Sequence, residues 1–200
     1  MYFRIRALLA TMTILIMASG CSIMHPVADD YGQYLTNNQK AGQFQQIQVA
    51  NQYQVPAATQ NHHYEFRSAM VGYAHVWAVD FGKILDATMQ SKDVVDALGP
   101  LTKAAPDSPS NGNTLIFDLD KYSFEDFGAH IVLTIRVKNA SGEVFKKTYT
   151  ADGETQGGKM FWSGPFGMKN AVQQSTKLAM DKIFTTFIAD VKTSTLVAAK

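Results

Sequence analysis

The clearest structural signal in the chain is residues 129–151, which read AHIVLTIRVKNASGEVFKKTYTA. In the first part apolar residues alternate with other types, so alternate residues from Ile131 to Val137 share one face of an extended strand. Residues 139–142 are Asn-Ala-Ser-Gly, a turn-forming composition, and residues 144–151 alternate again. The stretch therefore predicts a β-hairpin.

Strand and helix patterns precede this hairpin. His62–Ser68 and Thr114–Leu119 show the alternation of strands. Residues 72–90 predict a helix, because a mainly apolar stripe recurs three and four positions apart. The stripe comprises Trp77, Phe81, Ile84, Leu85 and Thr88. Gly82 lies within this helix and predicts close packing against the sheet, and Lys92–Leu98 predicts a short second helix.

A long amphipathic helix is predicted over residues 168–191, after a glycine- and aromatic-rich loop at 152–167. The predicted order is strand, helix, three strands and helix. We expect an α+β fold in which a mixed sheet of about four strands carries both amphipathic helices on one face. The first strand–helix–strand connection favours a parallel pair with a right-handed crossover.

The start of the chain has the pattern of an export signal. Arg4 and Arg6 precede an apolar stretch at residues 7–17, and the small residues Ala-Ser-Gly at 18–20 come directly before Cys21. The apolar stretch is shorter than the ~20 residues of a membrane span. This order resembles a bacterial lipoprotein signal with its lipobox. The alternative is an ordinary secretory signal, cut after residue 20.

The lipobox resemblance implies removal of residues 1–20 and acylation of Cys21 on its thiol and amine. Several acyl chains hold a protein firmly on a membrane. Ser22 follows the cysteine, and the resemblance then favours the outer membrane, with the protein facing the periplasm. Cys21 is the only cysteine, so we expect no disulfide and no cysteine-containing metal site.

The predicted domain organisation follows from composition. Residues 21–52 are rich in Gln and Asn and predict a flexible tether, with an edge strand at residues 46–49 as the alternative. Residues 53–192 have the length of one α+β domain, and residues 193–200 form a tail. The formal net charge of +1 becomes −1 without Arg4 and Arg6, and the lysines are scattered. This excludes a nucleic-acid-binding face.

The sequence predicts neither an enzyme nor a cofactor. Residues 153–159 have the spacing of a phosphate-binding loop, but Met160 replaces the Ser or Thr that would hold magnesium. The histidines do not have metal-ligand spacing, and a carboxylate cluster after a strand has no nucleophile–base partner. The histidines are His62, His63, His75 and His130, and the carboxylates are Asp118, Asp120, Glu125 and Asp126.

Large apolar residues gather among glycines and a proline in the segment 159–168. The favoured interpretation is that these large residues fold back and close the end of the core. The alternative hypothesis is that Met160, Phe161, Trp162 and Phe166 form an exposed partner-binding patch, because aromatic residues and Met are enriched at interface hot spots. Replacing Phe161 and Trp162 by Ser separates the two, since only a core role predicts unfolding.

The lipobox, the polar tether and the strand–helix–strands–helix order together resemble two groups of envelope lipoproteins. These are the YajG-like lipoproteins and the auxiliary lipoproteins of ABC-type transport systems; the similar parts are residues 77–89, 129–151 and 170–191. The resemblance implies a non-enzymatic accessory or assembly subunit that binds an envelope complex. The alternatives are a lipid- or glycan-binding carrier, a hydrolase of envelope polymers and a structural piece of a flagellar or secretion machine.

Overall fold

The computed structural model describes residues 22–106, 108, 112–155 and 158–194, with the backbone alone for 158–163. Eight strands and five helices form in these ranges. The strands are β1 (Ile23–Pro26), β2 (Gln52–Gln54), β3 (His63–Phe66), β4 (His75–Asp80), β5 (Thr102–Lys103), β6 (Thr114–Glu125), β7 (Gly128–Asn139) and β8 (Gly142–Glu154). The helices are α1 (Tyr31–Asn37), α2 (Ala57–Gln60), α3 (Phe81–Gln90), α4 (Lys92–Leu98) and α5 (Gly158–Thr193).

The strands divide between two mixed sheets. A five-stranded sheet has the order β5-β2-β6-β7-β8, and a three-stranded sheet has the order β1-β4-β3. The α+β class is therefore confirmed. The expected single sheet of about four strands is replaced by two sheets with four additional strands, β1, β2, β4 and β5. In the small sheet β1 and β4 pair in parallel, and β3 joins β4 antiparallel.

The segment predicted as one helix over residues 72–90 is half strand. β4 occupies residues 75–80, and α3 begins only at Phe81. Residues 76–79 are all buried, and Trp77 and Val79 are fully so. A strand that is buried on both faces consists of consecutive apolar residues. Such a run also contains apolar residues three and four positions apart, so it fits the pattern of an amphipathic helix as well. Only the second half of the predicted helix forms.

The segment 21–52 is not a tether in its described part. It supplies β1 and α1, and Val27 and Tyr31 are fully buried in the core. Further along, the Ile47 N–H donates to the Ala97 carbonyl oxygen at 2.7 Å, and Ile47 and Val49 are buried although residues 46–49 form no strand. The low apolar content does not prevent packing, because Val27, Tyr31, Leu35, Ile47 and Val49 are all buried.

The hairpin and the last helix form as predicted. β7 and β8 pair along their length around the turn at 139–142, and α5 packs across both strands. The inner face of β7 is fully buried beneath α5 residues such as Phe184 and Phe187. α5 starts ten residues earlier than expected, since residues 158–163 are helical instead of a loop.

Two glycines mark close approaches between elements. A Cβ on Gly82 would collide with the backbone carbonyl of Gln60 in α2, and one on Gly153 in β8 would collide with the Ser175 carbonyl in α5. The predicted close packing at Gly82 is therefore present, but its neighbour is α2 and not the sheet. Gly153 lets α5 lie directly on the hairpin.

Candidate docking surface

A histidine–tryptophan cluster covers one face of the three-stranded sheet. His25 lies beside Trp77 in the parallel register of β1 and β4, and Ile23 lies beside His75, so side chains two apart share this face. The His25 ring stacks on Trp77 with centroids 5.5 Å apart, and Phe66 of β3 stacks on Trp77 at 5.4 Å. This places the fully buried Trp77 at the centre of the face.

The two histidines of the cluster are hydrogen-bonded to each other. His25 Nε2 and His75 Nδ1 are 2.8 Å apart, and their tautomers decide which ring donates. Burial lowers the pKa of His25, and the nearby charges of His75 and Lys169 lower it further. A bond between two imidazoles needs one unprotonated acceptor, so it is lost when both rings carry a proton.

A kink in α5 brings Phe166 over this cluster. Gly164 interrupts the helix with φ 57° and ψ −142°, a conformation that suits glycine, and Pro165 follows it. The Pro165 carbonyl oxygen accepts a hydrogen bond from the Trp77 indole N–H at 3.2 Å. Phe166 then meets His25 edge-on, with ring centroids 6.4 Å apart, and 77% of its surface is exposed.

Of the predicted site residues, only Phe166 has a described side chain. Phe166 is exposed beside the cluster. Met160, Phe161 and Trp162 lie on the first helical segment of α5, and their side chains are outside the described residues. Cys21 is also outside them and directly precedes Ser22.

A second group of exposed apolar side chains lies where β1 and β4 begin, and we name it the apolar end: Ile23, Met24, Met70 and Tyr73. Between 49% and 68% of the surface of each is exposed. The Ile23 N–H donates to the Ala74 carbonyl oxygen at 2.8 Å, which holds the start of β1 against the loop that carries Met70 and Tyr73. Sequence reasoning missed this group, because its members lie in two segments of the chain about fifty residues apart.

Two of the four carboxylates singled out from the sequence, Asp118 and Asp120, contact neighbouring side chains of the large sheet. Asp118 accepts from the Arg136 guanidinium at 2.6 Å, and Asp120 accepts from the Thr134 hydroxyl at 2.7 Å. Asp126 sits in the tight turn between β6 and β7 with φ 48°. These contacts stabilise neighbouring strands and gather no acid–base pair.

His63 and His130 bind carboxylates close to them. His63 contacts both Asp80 at 2.7 Å and Glu65 at 2.9 Å, which raises its pKa, and His130 contacts Asp152 at 2.7 Å. Within the described ranges, no group of three or more His, Cys, Asp or Glu side chains is arranged to hold a metal ion.

A polar groove of about 390 Å³ lies between the start of β6 and the segment 54–57. Gln54 and Arg136 contribute to its walls, and Arg136 is already held by Asp118 and by Glu143. The space between α5 and the large sheet is filled by side chains such as Phe117, Ile131 and Phe184.

The chain was compared with family models, with curated proteins and with solved structures. No protein-family model matches the chain, and no curated protein matches it. The crystal structure of protein XCC0632 from Xanthomonas campestris, described with the family model DUF330, aligns with a TM-score of 0.44 and 15% identity. The alignment covers 74% of this chain and 92% of that chain. It gives no support to a YajG-like assignment.

The helices were also compared with the requirements of a membrane span. None of those in the described part of the chain is long and apolar enough to cross a bilayer.

Proposed function

We propose that this chain is a lipid-anchored lipoprotein on the periplasmic face of the outer membrane and acts as a non-enzymatic accessory subunit of an envelope complex of the transport type. Acylated Cys21 supplies the anchor, and Phe166 with the neighbouring residues Met160, Phe161 and Trp162 supplies the partner contact. The observation that carries the proposal is the exposure of Phe166 on a fixed support.

The support for Phe166 is built from three contacts. Gly164 turns the chain, the Trp77 indole holds the Pro165 carbonyl, and His25 lies under the Phe166 ring. An aromatic ring held in place before binding loses little entropy on association, which favours affinity. Exposed aromatic residues of this kind are typical anchors of protein interfaces.

The described residues favour this role over that of a lipid or glycan carrier. A carrier needs an apolar cavity, and the interface between α5 and the sheet is instead packed with buried aromatic and aliphatic side chains. The polar groove beside Arg136 is open, and the arginine is already neutralised by two carboxylates.

The test compares Phe166→Ser with Val144→Ser in the full-length protein. Both side chains are exposed, and Val144 lies on the hairpin near its turn. Photo-crosslinking in intact envelopes, followed by purification and mass spectrometry, should show adducts with a defined envelope protein for the parent chain and for Val144→Ser. The adducts should fall at least tenfold for Phe166→Ser with an unchanged Tm. Equal adduct yield from all three proteins would contradict the partner role.

The anchor is tested separately. Intact-mass measurement of the purified membrane form should show acyl chains on Cys21, and Cys21→Ser should release the protein from sedimented envelopes. An unmodified Cys21 would refute the anchored form of the proposal.

A further inference from the structure

The covalent chain between the anchor and the fold is very short. Two residues of extended chain span at most ~7 Å, so the Ile23 Cα lies within that distance of the Cys21 Cα. Ile23 is already fixed, because its N–H donates to Ala74 and its strand pairs along β4. The connecting chain is therefore too short for the domain to move away from an acylated residue 21.

We infer that the apolar end formed by Ile23, Met24, Met70 and Tyr73 rests directly on the bilayer surface that holds the acyl chains. This inference rests on the proposed acylation of Cys21. It assigns a lipid-facing surface to the fold and replaces a tethered domain with one lying on the membrane.

The distribution of exposed apolar side chains agrees with this orientation. Among the described residues there are six exposed large hydrophobic side chains, and four of them form the apolar end. Of the other two, Phe166 borders it through His25, and Val144 lies in the hairpin. Such a concentration at the point where the anchor leaves the fold is what a membrane contact requires.

The chemistry of the apolar end also suits the headgroup region. Tyr73 combines an apolar ring with a polar hydroxyl, a character that places tyrosine at membrane–water boundaries. The Arg67 guanidinium donates to the Tyr73 carbonyl oxygen, so a cation lies beside the group where lipid phosphates would be.

The orientation has a consequence for Phe166. This ring lies over His25, two residues along β1 from Ile23, and so it is held near the level of the headgroups. A partner that binds Phe166 must then be reached along the membrane surface.

The test uses the fact that Cys21 is the chain's only cysteine. Once its thiol is acylated, a cysteine introduced elsewhere is the single site for a nitroxide spin label. The acylated full-length variants Tyr73→Cys and Met70→Cys are labelled in vesicles of phosphatidylethanolamine and phosphatidylglycerol. Collision with oxygen and with a water-soluble nickel complex is then measured by electron paramagnetic resonance.

The matched control is Ser141→Cys in the exposed turn between β7 and β8. The turn follows the last residue of β7, which is 12 residues long. Phe66 of the small sheet packs on Phe124 of β6, which lies beside the first residues of β7. At ~3.3 Å per residue the turn lies more than 30 Å away from that contact.

For each label we compare the ratio of its collision rate with oxygen to its collision rate with the nickel complex. We expect this ratio to be at least threefold higher for the labels at 73 and 70 than for the label at 141. Labels at 73 and 70 that match the control in an acylated protein would overturn the membrane contact and leave the anchored function standing. Shielding from both reagents would indicate a protein contact at these positions and would also overturn the membrane contact. A protein whose Cys21 carries no lipid would overturn both proposals.

Discussion

The indole N–H of Trp77 donates a hydrogen bond to the carbonyl oxygen of Pro165 at 3.2 Å, across 88 residues of sequence. This bond joins the centre of the small sheet to the kink of the longest helix. Gly164 before Pro165 leaves the helical conformation, and the carbonyl oxygen of Pro165 has two lone pairs, so it can accept from a side chain at this kink. Trp77 thereby fixes the direction in which Phe166 leaves the fold.

Replacing Trp77 by Phe tests this connection. The variant loses the hydrogen bond and part of a fully buried ring, and we expect the free energy of unfolding to fall by about 2–3 kcal/mol. Urea denaturation followed by circular dichroism measures the change. Phe166→Ser is the control, because removal of a mostly exposed ring should change stability by less than about 0.5 kcal/mol. Equal losses in the two variants would show that Phe166 belongs to the core.

Gly82→Ala should destabilise the protein even though alanine is the better helix former. Intrinsic propensity alone predicts a gain of up to about 1 kcal/mol, but the new methyl group meets the Gln60 carbonyl, and overpacking of this kind costs about 1–3 kcal/mol. Thermal unfolding should show a lower Tm. Gly32→Ala in α1 is the matched control, since its Cβ would meet only Ala87 Cβ at 4.0 Å. A rise in Tm for both variants would mean that α2 lies farther from α3 than the structure shows.

Lys177→Met should be strongly destabilising. The Lys177 ammonium lies 2.9 Å from Asp181 and 3.5 Å from Asp93, and only 7% of its side chain is exposed. Removing one member leaves buried carboxylates without a counter-charge, and we expect a loss of about 3 kcal/mol in the free energy of unfolding at pH 7.

Lys92→Met provides the comparison for this ion pair. Lys92 also pairs with an aspartate four residues on, Asp96, at 2.6 Å, but 66% of its side chain is exposed. The loss there should stay below about 1 kcal/mol by urea denaturation. A loss for Lys177→Met no larger than that for Lys92→Met would refute the buried network.

Stability should fall on acidification partly through His25. Burial holds the pKa of His25 below its ordinary value of 6.5, so the folded state binds fewer protons than the unfolded state. Its contribution is complete above about pH 6.5 and is lost as the pH falls below that value. His25→Gln should therefore lose less stability between pH 7.5 and pH 5 than the parent chain, as measured by the urea midpoint.

His63 acts in the opposite direction. Hydrogen bonds that His63 donates to Glu65 and Asp80 raise its pKa, so its contribution is complete below about pH 6.5 and is lost as the pH rises through the folded-state value. His63→Gln should then steepen the loss of stability on acidification. A steeper loss for His25→Gln as well would show that burial does not govern the His25 titration.

The parts of the fold that the sequence predicts well are those decided by local pattern. The hairpin of β7 and β8 and the long helix after Met168 each have many residues of one period, and neighbouring residues provide the contacts. β4 was misread because its apolar run fits both periods. β1 was not predicted, because its four residues form a strand only by pairing with β4, which lies about fifty residues later.

The residues of the candidate surface also differ in whether the sequence predicts them. Phe166 was predicted from composition, since an aromatic residue after Gly164-Pro165 stands out in the sequence. The apolar end was not predicted, because Ile23 and Tyr73 become neighbours only when β1 bonds to the residue that precedes β4. The His25–Trp77–Phe166 stack likewise joins three distant parts of the chain.

The parallel pairing of β1 with β4 also sets an order of events during synthesis. β1 is made first, but its hydrogen-bonding partners follow only about fifty residues later. Under the proposed lipoprotein export, β1 would therefore still be unpaired when a processing enzyme first met the chain near Cys21. The small sheet would close only after that step.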